Sequence, residues 1–139
     1  MSSASVKAAV RGHLAAHWDP AAAAIREANS DFQPGGRPWF ELRFPGSRTE
    51  RQDIGEPDHP LWRETGAFMV DVYVPQGIGA DAAEQLGEQV AALFLGRSID
   101  GVECQERLDG VAGEREPAGV PGPWWGLSFG IGYRFQWLG

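Results

Sequence analysis

The sequence holds one cysteine, Cys104, and one lysine, Lys7, and no apolar run long enough to form a membrane-spanning helix. A lone cysteine excludes a disulfide within the chain, and nothing around Cys104 argues for a nucleophile, so it reads as a buried thiol. Cations are scarce: 12 Lys and Arg face 19 Asp and Glu, giving a formal charge of -7 and a pI near 4.9. Tight nucleic-acid binding needs clustered cations on the phosphate backbone, so the balance argues against it. The alanines near the N-terminus are broken by Lys7, Arg11, His13 and His17, which is not the continuous apolar core of a signal peptide. A soluble protein made in the cytoplasm is the expectation.

Constellations that would carry catalysis are equally sparse. His13 and His17 lie four apart, on the same side of a predicted helix as Val6 and Val10, and no Cys or His follows at zinc-ligand spacing. They read as hydrogen-bonded histidines at the edge of a core or interface. Gly77-Ile78-Gly79 precedes a helix but lacks the third glycine and the lysine of a phosphate loop. Ser98 and Ser128 have no nucleophile-elbow sequence around them. Asp53, Glu56 and Asp58 beside His59, and Glu103, Glu106 and Asp109, fall where structural signals are weakest, whereas a catalytic pair must be held firmly. They read as solvated acidic surface. No enzyme, metal or cofactor is expected.

What the chain does contain is 139 residues of globular composition, 42% hydrophobic with six tryptophans, enough for one core. Val6, Val10 and Leu14 recur every four residues and predict a helix over 5–18, ended by Asp19-Pro20. Residues 21–28 are alanine-rich and read either as a second short helix or as an irregular edge segment. After the Pro34-Gly35-Gly36 turn, Phe40, Leu42 and Phe44 alternate with Trp39, Glu41 and Arg43 as a strand stopped by Pro45-Gly46. Residues 48–61 read as a long loop or a ragged hairpin end. The clearest strand follows, with Phe68, Val70, Val72 and Val74 on one face and Met69, Asp71 and Tyr73 on the other. Asp81, with Glu84 three residues on, predicts the capped start of a helix carrying Leu86, Val90, Leu93 and Phe94. A short strand is predicted over 102–106, a flexible excursion over 109–122, and a long last strand alternating from Trp125 to Trp137.

The order predicts an α+β fold: an antiparallel or mixed β-sheet of four to five strands packed against two helices, in a single domain over 1–139 with long loops at 48–61 and 109–122. The helix near Asp81 is long enough to cross over between parallel strands. On the sheet face away from the helices, Gly130 and Gly132, with Met69 and Tyr73 nearby, read as a candidate subunit contact or as a wet face whose glycines ease twist.

The most distinctive run is Arg63-Glu64-Thr65-Gly66, leading into Ala67-Phe68-Met69-Val70-Asp71-Val72-Tyr73-Val74-Pro75. With Gly77, Gly79, the helix that follows and Gly96-Arg97-Ser98-Ile99, it resembles the tail-terminator-like proteins of long-tailed bacteriophages. Pro38-Trp39 and the closing strand from Trp125 to Phe135 also fit that pattern, so the resemblance spans most of the chain. Ala21 to Ala24 and the acidic 109–119 stretch match it least.

The resemblance implies a structural protein of the virion at the head–tail junction, assembled in the host cytoplasm. It implies a homohexameric ring that caps the tail tube, ends its polymerisation and joins it to a head completion protein. The tail-tube protein is then a second partner, DNA passes through the ring without specific binding, and no membrane is involved. On that reading, Arg48, Arg51, Asp53, Glu114 and Arg115 are candidate neighbour-binding residues, and Asp53, Glu56, Glu84 and Glu88 are candidates for an acidic lumen. A head completion (neck) or tail-tube protein of the same particle is the nearest alternative. A small enzyme using the acidic loops and a soluble domain of unrelated function are more distant ones.

Overall fold

The computed structural model describes residues 3–27, 32–56 and 58–139, without the side chains of 53–56. In chain order the elements are α1 (Ala4–His17), β1 (Ala24–Arg26), β2 (Trp39–Glu56), β3 (His59–Pro75), α2 (Ala80–Ala92), β4 (Ser98–Ile99), β5 (Val102–Arg115) and β6 (Trp124–Leu138). The strands form one sheet in the order β1-β2-β3-β6-β5-β4. Every pairing is antiparallel except β1 with β2. Because β3 and β5 are both antiparallel to β6, they run parallel to each other, and α2 makes the crossover between them.

Both helices lie on one face. Val6, Val10 and Leu14 of α1 and Ala83, Leu86 and Val90 of α2 bury against Phe40, Phe68, Val70, Val72, Phe129 and Ile131. Fully burying a side chain of that size contributes roughly 1.5–3 kcal/mol, and the alternation of the strands selects which face receives it. Ser3 caps α1, its hydroxyl accepting from the Val6 amide at 3.4 Å. Trp18 ends α1 in an extended conformation, with its indole N–H on the Ala23 carbonyl. His13 donates to the Leu93 carbonyl at 2.8 Å and ties α1 to the end of α2, while His17 bonds the His13 carbonyl.

Several expectations need correction. The sheet has six strands, not four to five. The additions are β1 and β4, of three and two residues, too short to show an alternating pattern. Residues 24–26, which alanine content left open between helix and edge, form the parallel edge strand β1, with Ala24 opposite Trp39. Asp81 is not the cap of α2: Gly79 holds that position without a side-chain bond, and Asp81 sits in the first turn. There its carboxylate still meets the positive end of the helix dipole. Most of 48–61 is the distal half of the β2–β3 hairpin, paired from Gly46–Ala67 to Gln52–Leu61. Alternation is hard to see there because both faces carry polar residues. β5 likewise runs on to Arg115, so the connection to β6 is only 116–123. Val120 pins that connection, buried against Trp39 and Trp124.

The short outer strands leave much of the sheet margin bare. β1 pairs with β2 only from Trp39 to Glu41, and β4 pairs with β5 only at Val102 and Glu103. Among the described residues, no strand covers the outer side of β2 or β5 beyond these points.

Candidate functional site

The sheet face away from the helices is built around one buried carboxylate. Asp71, in the middle of β3, is 3% exposed although no helix covers it. Its β6 partner in register is Ser128, whose hydroxyl donates to Asp71 Oδ1 at 2.5 Å. Arg43 of β2 engages it with two guanidinium nitrogens, Nε on Oδ2 and the other at 3.1 Å from Oδ1. From β5, Arg115 donates to the Ser128 hydroxyl at 2.6 Å and stands 3.9 Å from Asp71. One carboxylate thus joins the four long strands, with two cations closing over it. The bond to Asp71 raises the pKa of Arg43. Burial raises the pKa of nearby Glu41 against the pull of Arg26, and burial together with Asp71 raises that of Tyr73.

Tyr73 is not an open contact residue. Its ring stacks on Trp39 at 4.3 Å between centroids, and Trp124 meets Trp39 edge-on at 5.9 Å. With Val120 these rings form a second apolar cluster on this face. The space above the β6 glycines is also filled from within the chain. A Cβ at Gly130 would lie 2.9 Å from the Met69 sulfur, one at Gly132 2.7 Å from Glu106 Cγ, and one at Gly126 2.5 Å from Arg115 Cδ. The close approach that glycine permits is therefore made by side chains of β3 and β5 lying flat across the strand, not by foreign backbone.

A second buried carboxylate gives the Arg63-Glu64-Thr65-Gly66 run its physical meaning. Glu64 is 1% exposed on the helix side of β3. It accepts from the Tyr133 hydroxyl at 2.5 Å and from the Ser3 amide, at the cap of α1, at 3.3 Å. Gly66 is the register partner of Tyr133, and a Cβ there would come within 2.9 Å of the Tyr133 hydroxyl, the Gly46 carbonyl and Ser47 Cβ. The glycine clears the path along which the tyrosine reaches Glu64. Neither Ser128 nor Tyr133 stands out by sequence as a polar partner. A buried Asp or Glu inside an alternating strand was the available signal.

The other candidate residues scatter. Arg48 is exposed and ion-paired to Glu50, and Arg51 is exposed. Asp53 and Glu56 belong to distal β2, and their side chains lie outside the described residues. Glu84 and Glu88 line a shallow groove with Arg107 and Asp109, whereas Glu114 borders another with Gly79 and Trp125. The hairpin tip and α2 sit at different ends of the sheet. Leu61 pairs with Leu138 and Val72 with Leu127, eleven residues apart, roughly 35 Å along a strand. Glu84 and Glu88 are therefore not brought together with the hairpin residues. Among the described residues no cluster of His, Cys, Asp and Glu could hold a metal ion.

A sequence model described as "Phage tail terminator protein" matches residues 5–133. The chain belongs to the phage tail terminator family. The match takes in both helices, all six strand positions up to Tyr133, and both buried carboxylates. This tail terminator family member is a structural protein of the phage tail and not an enzyme. No curated protein matches it. Among the solved structures that match, one is similar at 22% identity, covering 94% of this chain and 96% of that one, with a TM-score of 0.49.

Proposed function

We propose that the protein is the ring subunit that caps the head-proximal end of the tail tube, stops its growth and presents the surface on which a head completion protein docks. The observation that carries this reading is the family match over 5–133, because it spans the scaffold and not one motif. The physical logic is that a closed ring uses up its lateral binding surfaces, so addition in that direction ends. A stiff subunit suits the task, and the Asp71 and Glu64 networks are what stiffen this one. The excess of acids supports a channel that passes DNA with little adhesion, since a cationic lining would hold phosphate. Glu84 and Glu88 or the hairpin acids could line a short channel, but not both sets at one level.

Electron microscopy of particles carrying a tagged copy tests this directly. Tag density confined to the head-proximal end of the tail, with rotational symmetry, is the expected result. Density repeated along the tube would make it a tube subunit, and tails of normal length assembled without the protein would remove the terminator role.

A further inference from the structure

The two helices turn opposite charges toward opposite margins of the sheet. α1 faces the β2 margin with Lys7 and Arg11: the Lys7 Nζ and the Arg11 guanidinium carbon stand 5.9 and 5.1 Å from the Phe44 ring centroid. Arg11 is exposed, and neither cation has an ion pair among the described residues. Arg11 also borders a small pocket with Ile25 and Leu42, on whose rim the charges of Arg26 and Glu27 offset each other. α2 faces the β5 margin with Glu84 and Glu88, both exposed, in the groove they share with Arg107 and Asp109. The Asp109 side chain is 88% exposed. The one cation of that groove is turned inward, Arg107 lying with its carbon centre 4.5 Å from the Phe129 centroid and its Nε 3.3 Å from Asp109. One margin therefore carries a surplus of two cations and the other a surplus of two carboxylates.

The strand register puts both patches at one height. Phe44 lies between Arg43, level with Met69 of β3, and Gly46, level with Ala67, while Leu42 is level with Val70. Ile25, through Phe40, is level with Val72. On the other margin Arg107 and Asp109 are level, through β6, with Phe68 and Val70, and Leu127 of the same groove is level with Val72. Both patches thus span the stretch from Phe68 to Val72. Both are also on the helix side, since Phe44 packs against Phe68, and Arg107 and Asp109 stand opposite the core residues Ile131 and Phe129. At this height β5 is the outermost strand of its margin, and on the other margin β2 is outermost as far as Leu42 and β1 beyond it.

We infer that Lys7 and Arg11 of one copy dock against Glu84, Glu88 and Asp109 of the next, the helix layers meeting margin to margin. This rests on the ring reading above and names the surface that closes the ring. Copies related by rotation about an axis along the strands keep their heights, so the opposite charges face each other across the contact. Each copy gives one patch to each neighbour, a head-to-tail contact that closes when the rotation fits. Apposed charges of opposite sign steer the encounter and fix which margins pair, because like margins repel. The assignment places Glu84 and Glu88 between copies and leaves the hairpin acids as the channel candidates.

A charge exchange tests this. K7E/R11E makes both margins acidic, and E84K/E88K makes both basic, so each variant alone repels itself. Sedimentation at high concentration should show self-association weakened by roughly tenfold or more in each. Mixed in equal amounts, the two should recover assembly, and native mass spectrometry should find them in a one-to-one ratio. Unchanged melting of each variant separates a lost contact from a lost fold; a pair that melts early is replaced by R11E and E88K, read in the same way. Self-association of either variant at the wild-type level overturns the inference, as does a mixture that assembles no better than its parts, or a wild-type protein and mixture that both stay monomeric. A symmetric ring in the particle joined through another surface overturns this contact and leaves the ring reading standing. A particle without symmetry at this protein removes both.

Discussion

Replacing Tyr133 with phenylalanine removes one oxygen from the protein and leaves every apolar contact of the ring. That oxygen donates to Glu64, which is 1% exposed and whose other hydrogen-bond partner among the described residues is the Ser3 amide, at 3.3 Å. A hydrogen bond to a charged group contributes about 1.5–3 kcal/mol, and the remaining carboxylate stays desolvated. At this chain length a kilocalorie moves the melting temperature by about 3–4 °C, so Tyr133→Phe should melt roughly 5–10 °C lower. Glu64→Gln and the double variant complete a cycle that isolates this pair from whatever else the hydroxyl touches, and the coupling should be about 1–2 kcal/mol. Amide exchange in the first turn of α1 should also speed up in Tyr133→Phe, because Ser3 is held by the same carboxylate. A melting temperature within about 1 °C of wild type, or single-variant losses that simply add, would refute the account of the Glu64–Tyr133 bond.

Gly66→Ala should destabilise by about 1–3 kcal/mol in chemical denaturation, because its Cβ meets the Gly46 carbonyl and the Tyr133 hydroxyl at 2.9 Å; a neutral effect would mean that the hairpin yields there. Asp71→Asn leaves Arg43 and Arg115 without their counter-charge and should cost about 2 kcal/mol, less than a wholly buried pair since Arg43 is half exposed and can turn to water. Glu41 has its folded pKa raised by burial, so its ionisation opposes folding: Glu41→Gln should match wild type below the unfolded value of 4.5 and gain stability over it as pH rises through the folded value. Equal urea midpoints for that pair at pH 4 and pH 7 would contradict the sign. Cys104 is buried with its thiol pushed up to about 11, so maleimide should label it slowly in native protein at pH 8 and fast in denaturant, as read by intact mass.

What was legible in the sequence was whatever repeats. Val6, Val10 and Leu14 mark α1, and Phe68 to Val74 and Trp125 to Phe135 mark the two central strands, because burial on one face imposes a period. The two- and three-residue strands β4 and β1 were invisible for the converse reason: they are defined by their neighbours, and so few positions have no period. The distal hairpin was obscured because both of its faces are polar, so nothing alternates. On the site, the glycines of β6 were recognisable as places of close approach, but sequence could not say what approaches. Met69, Leu108 and Glu106 of neighbouring strands do so over Gly130 and Gly132. Tyr73, on the open face by alternation, is covered by Trp39 through a fold-level contact that no local pattern encodes.

The two buried carboxylates also answer a question that the apolar pattern leaves open. Alternation along β3 and β6 fixes which face is buried, but a slip of two residues keeps every face correct, and β6 has glycine at positions 126, 130 and 132, where no side chain resists the slip. The polar pairs do resist it. Asp71 sits directly opposite Ser128, and Tyr133, opposite Gly66, reaches diagonally to Glu64. A two-residue slip in either direction moves Ser128 off Asp71 and places the Tyr133 hydroxyl against a residue other than Gly66, where a side chain would block it. Each misregistered pairing therefore strands two desolvated carboxylates, at several kcal/mol for the pair. Asp71 extends the same control sideways, because Arg43 and Arg115 bring β2 and β5 to that one position. The long strands are thus set in a single register by charge.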